Sequence, residues 1–83
     1  MNNKIIRSIE IYDKDTELLV AEYPLNGVEL EFLQTLFGEP RDDPMYECYK
    51  LNSFYADKLQ PFVSGKIDIE KYNCYLACSA VSD

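Results

Sequence analysis

Four prolines, at positions 24, 40, 44 and 61, divide the middle of this chain into short segments. Each proline fixes its own φ, removes a backbone donor and pushes the preceding residue toward extended conformations. Pro24 closes a strand. Beyond it, Asn26 followed by Glu29 forms an Asn-x-x-Glu capping pattern, in which the amide side chain accepts from first-turn N–H groups and the acid reaches back. Glu29 and Glu31 also stand where a helix dipole favours negative charge. Val28, Phe32, Leu33 and Leu36 recur at helical spacing, Gly38 suits the residue just past a helix end, and Pro40 forbids continuation. A helix is predicted over 27–37.

Strand patterns lie on either side. "KIIRSIEIY" (4–12) is β-branched and broken by polar residues, "DKDTE" supplies a turn, and "LLVAEY" (18–23) returns, which reads as an N-terminal hairpin. "EPRDDP" is a connection, and "MYECYKL" (45–51) reads as a strand. Asn52 or Ser53 caps a short helix, "FYADKLQ", that stops before Pro61; a single turn follows Asp68. "YNCYLACSAV" (72–81) is apolar on both faces, which predicts a central strand. The expected fold is α+β: a small single-domain ββαβαβ sandwich over 1–83, with a mainly antiparallel sheet and two helices on one face. A chain of 83 residues buries only about 60–65% of the surface its unfolded form exposes, enough for one small core.

Several chemistries are excluded. The chain has no histidine, so Ser-His and Cys-His nucleophilic pairs and His-containing metal sites are impossible. Its three glycines are not grouped as a phosphate loop needs. Cys48, Cys74 and Cys78 lack a disulfide framework spacing, which fits reduced, buried thiols and a cytoplasmic protein. The N-terminus lacks a signal-peptide apolar run, and no apolar stretch is long enough to span a bilayer. No catalytic residue, cofactor or metal site is expected.

Charge points to a partner class. Net charge is −7, and from Glu10 to Glu47 eleven acids face only Lys14 and Arg41, a local balance of −9. Direct contact with nucleic acid or an anionic membrane is disfavoured, because phosphate contact needs clustered Lys and Arg. A basic protein partner is favoured, although acidity serving solubility alone fits the composition equally. The densest stretch is "LFGEPRDDPMYECY", Leu36 to Tyr49. Its prolines restrict the free chain, so a partner would order little on docking; Arg41 pairs with a neighbouring acid to hold the loop. Seven tyrosines and no tryptophan supply large rigid rings of the kind enriched at interface hot spots. Most wedge between sheet and helices, but at least two, Tyr46 and Tyr49 foremost, are expected in an exposed patch. The candidate partner-binding residues are Asp13, Asp15, Glu39, Asp42, Asp43, Tyr46, Glu47 and Tyr49. The same stretch also reads as a solvated Asp-Pro turn or as a carboxylate cation site without calcium-loop spacing.

The Leu36–Tyr49 block, preceded by "IYDKDTELL" and followed by "LQPFV" and "IDIEKYNCYL", resembles a group of small acidic bacterial immunity proteins of contact-dependent growth inhibition and other polymorphic toxin systems. The resemblance runs over roughly residues 4–78. It implies a cytoplasmic protein, monomeric or weakly dimeric when free, that binds one cognate toxin domain, commonly a nuclease, and blocks its active site or substrate surface. It assigns no catalytic residues. The alternative class is a structural or regulatory subunit that self-associates through an open sheet edge.

Overall fold

The two strand-like ends of the chain find each other. In the computed structural model, which describes residues 3–82 and the side chains of 5–79, β1 (Asn3–Asp13) and β4 (Tyr72–Ser82) pair antiparallel along their whole length. β2 (Leu19–Pro24) folds back on the outer edge of β1, and β3 (Tyr49–Lys50) adds to the far side of β4. The sheet order is β2-β1-β4-β3, every pair antiparallel. With α1 (Leu30–Phe37) and α2 (Ser53–Leu59) the element order is ββαβαβ, a small α+β domain. No helix among the described residues is long and apolar enough to cross a membrane.

Strand alternation sorts the side chains. Ile9 opposes Leu76 and Ile11 opposes Cys74, and these four join Leu33 of α1 and Ala56 and Leu59 of α2 in one core. Both helices therefore cover the same sheet face. The opposite face carries Glu10, Tyr12, Glu22, Lys50, Asn73 and Tyr75 without a covering layer. β4 is central, as predicted, but it is paired on both edges and packed on one face only. Ala77 and Ser8, opposite each other in β4 and β1, are both buried.

Three boundaries differ from the sequence prediction. α1 begins at Leu30, with Glu29 at its N-cap and no side-chain cap bond. Asn26 donates its backbone N–H to the Phe62 carbonyl and Gly27 takes φ +75°, so residues 26–29 bend across to the second helical region instead of starting a helix. The strand over 45–51 shrinks to two residues because Met45 adopts φ +55°, which an extended ladder does not accept. Pro61 lies inside a 3-10 turn, Gln60–Phe62, that continues from α2. Asn52 caps α2 as predicted, its side chain accepting from the Tyr55 N–H at 2.9 Å. The turn after Asp68 also forms, with the carboxylate accepting from the Glu70 and Lys71 N–H groups.

Candidate protein-binding surface

The acidic stretch is a loop tied down at three points. α1 ends as Gly38 turns left-handed (φ +71°) and the Glu39 N–H returns to the Gln34 carbonyl at 2.8 Å, a helix stop that only a residue without Cβ enters freely. The chain then doubles back over Gln34, whose side chain is 2% exposed. The Gln34 amide donates to the carbonyls of Arg41 (3.0 Å) and Asp43 (2.8 Å). Arg7, reaching from β1, donates to the Pro44 carbonyl at 2.6 Å. Met45 then plugs the core at 1% exposure, its N–H donating to the Asp43 carboxylate.

Arg41 braces the outside of this loop, donating to the Glu31 carbonyl at 3.1 Å and lying 3.9 Å from the Glu31 carboxylate. Both side chains are mostly exposed, so the ion pair contributes at most about 1 kcal/mol. The two buried-side contacts from Gln34 hold the loop more firmly.

These ties bring four of the candidate residues together. A side-chain hydrogen bond with Asp43, aided by slight desolvation and by repulsion from Asp43 and Glu47, holds the Glu39 carboxyl above its ordinary pKa. Burial, then the charges of Asp43, Glu39 and Glu47, pushes the Tyr49 phenol up. Glu39, Asp43, Glu47 and the Tyr49 hydroxyl therefore share one neighbourhood. Asp42 and Tyr46 stand exposed on the same loop, Tyr46 at 60%.

The Tyr49 ring and the remaining candidates are placed differently. Tyr49 is half-buried, its ring 5.2 Å from that of Phe37, because position 49 alternates onto the core face opposite Leu76. Tyr46 is thus the one exposed tyrosine among the described residues. Asp13 and Asp15 occupy the β1–β2 turn, and β4 separates β1 from β3. The Asp13 carboxylate turns inward to accept the Asp15 and Thr16 N–H groups, both at 2.8 Å, and those bonds lower its pKa. Cys48 is exposed rather than buried, since it precedes β3 on the uncovered side; Cys74 is buried, and burial raises its thiol pKa.

Sequence reasoning missed Gln34 and Arg7 as loop anchors. It also missed a concavity of about 270 Å³ on the uncovered sheet face, lined by Glu10, Tyr12, Glu17, Cys48, Asn73 and Tyr75. The period-2 alternation of β1 and β4 puts Glu10 with Tyr12 and Asn73 with Tyr75 on one face each; only the register between the strands joins the two pairs.

The family model described as "Domain of unknown function (DUF7683)" matches residues 6–77, and the chain belongs to that family. No curated protein matches the sequence.

Proposed function

We propose that this member of the DUF7683 family is a non-catalytic immunity protein that binds a basic toxin domain and blocks its active-site or substrate surface. The observation that carries this reading is an acidic loop, Glu39 to Glu47, fixed from beneath by Gln34 and Arg7. Like charges held together raise the energy of the free surface, and a cationic partner relieves it. A nuclease presents Lys and Arg to phosphate, so an acidic surface that is already ordered competes for that groove with little conformational cost. Tyr46, exposed beside the acids, supplies a rigid apolar anchor whose burial adds specificity to the charge attraction. The resemblance of the Leu36–Tyr49 block to immunity proteins supports the same assignment.

Co-expression of the full chain with a toxin domain encoded beside it tests the proposal. Survival and co-purification are expected, and Asp42→Asn/Asp43→Asn/Glu47→Gln should weaken the complex by about tenfold or more. Unchanged affinity in that variant, together with unchanged affinity across a salt series, removes the acidic-loop mechanism. Absence of both rescue and complex removes the immunity role.

A second reading, a structural or regulatory subunit, rests on the outer edge of the sheet. β2 is an edge strand, and Leu18, Leu19 and Val20 beside and within it are 66%, 50% and 52% exposed. Such edges template pairing with another chain. A stable homo-oligomer that ignores the toxin domain would transfer the assignment to this class.

A further inference from the structure

The uncovered sheet face holds a second acidic feature, apart from the loop. Across the four strands one row reads Glu22, Glu10, Tyr75, Lys50. Glu10 and Glu22 stand directly opposite each other on neighbouring strands, an arrangement of like charges that destabilises a sheet. Their hydrogen-bond partners are neutral: Tyr12 donates to one oxygen of Glu10 at 2.8 Å, and Ser8 to one of Glu22 at 3.2 Å. Among the described residues the single ion pair joins Arg41 and Glu31, on the other side of the sheet's helices. Among the described residues, the carboxylates of this face form no ion pair: Lys50, the cation of the row, is separated from Glu10 by Tyr75.

Beside that row lies the notch of about 270 Å³, whose lining includes Glu10 and Glu17 but no Lys or Arg. Its walls include the rings of Tyr12 and Tyr75, edge to face at 5.6 Å. The Tyr12 hydroxyl is committed to one Glu10 oxygen, which leaves the other free to accept. The hydrogen bond to Glu10 and desolvation hold the Tyr12 phenol above its ordinary pKa, so it remains the donor in that pair at neutral pH.

We propose that this notch receives the guanidinium of an arginine presented by a basic protein partner, a refinement that rests on reading the chain as a binder of such a protein. The notch of about 270 Å³ is open to solvent and has room for one guanidinium group. Two carboxylates offer acceptors to a planar donor fork, and tyrosine rings offer stacking and cation–π attraction. An ammonium lacks the planar fork and gains less from the same walls. No group of three or more Cys, Asp or Glu side chains among the described residues is arranged to hold a metal ion. Cys48 lines the notch and directly follows Glu47 of the acidic loop, so one partner surface can engage both features.

The test uses the full chain alone. Backbone NMR follows titration with Nα-acetyl-arginine methylamide at low salt, beside the citrulline and lysine analogues. Saturable shifts confined to the Glu10–Tyr12, Cys48 and Asn73–Tyr75 amides are expected with arginine and absent with neutral citrulline. Glu10→Gln/Glu17→Gln should weaken binding about tenfold while keeping the fold, since glutamine still accepts from Tyr12 and ends the repulsion with Glu22. Three results overturn the assignment: no saturable shift, citrulline or lysine bound as tightly as arginine, or undiminished binding in the double variant. Because no toxin is needed, failure here is separate from failure of the survival assay.

Discussion

Gln34 shows how one polar side chain can set the shape of a whole surface. It sits between Leu33 and Thr35 and carries its amide under the returning loop, with two loop carbonyls as acceptors. Gln34→Leu keeps the volume but strands those carbonyls. A loss of about 1–3 kcal/mol in urea unfolding is expected, with faster amide exchange through 41–45. Retained stability would mean that Arg7 and Met45 alone suffice to hold the loop. Two half-buried carboxylates titrate in opposite directions. Glu39 has a folded pKa above its ordinary 4.5, so its contribution to stability is present at lower pH and is lost as pH rises through the folded value. Asp13 lies below its ordinary 3.8, so its contribution is present above 3.8 and is lost as pH falls through the depressed value. Carboxyl-carbon NMR should give a midpoint above 4.5 for Glu39 and below 3.8 for Asp13. The exposure of Asp42 and Tyr46 was legible from the sequence. Gln34 was not, because its acceptors arrive from seven and nine residues away, after Gly38 has reversed the chain.

Elements followed their local signals where nothing distant competed. Asn26 and Asn52 look alike in the sequence, each an asparagine ahead of an apolar helical pattern. Asn52 does cap its helix. Asn26 does not, because its backbone is drawn to Phe62 and α1 starts at Leu30. Asn52→Ala should therefore cost about 1 kcal/mol, and Asn26→Ala less than about 0.5 kcal/mol. Equal losses in thermal unfolding would restore a capping role to Asn26. The strand expected over 45–51 failed for a related reason. The tyrosines there favour extended backbone, yet Met45 is buried with its N–H on the Asp43 carboxylate in a left-handed turn.

At the scale of the whole molecule, the acid surplus is contiguous in sequence but divided in space. The β1–β4 pairing carries Glu10 and Glu22 onto the uncovered face, leaves Asp13, Asp15 and Glu17 in or beside a hairpin turn, and sends Glu39 to Glu47 to the approach to β3. A net charge of −7 on so small a body repels itself. Added salt shortens the Debye length from about 10 Å at 0.1 M to about 3 Å at 1 M. The urea midpoint should therefore rise between low and moderate potassium chloride. A flat response would mean that the acids lie too far apart to interact, which would also weaken the case for a cationic partner.

The sequence by itself determined the order of the elements, the apolar side of each, the central place of the last strand and the acid surplus between Glu10 and Glu47. Those properties come from neighbours within a turn of helix or a few residues of strand. The tertiary structure alone decided which carboxylates share a neighbourhood, that Tyr49 turns inward while Tyr46 stays out, and that a notch opens between Tyr12 and Tyr75. Each depends on a contact between distant segments: Arg7 with Pro44, Tyr49 opposite Leu76, Glu10 opposite Tyr75. Closing such contacts fixes register and loop direction, and a local pattern of residue types leaves both free.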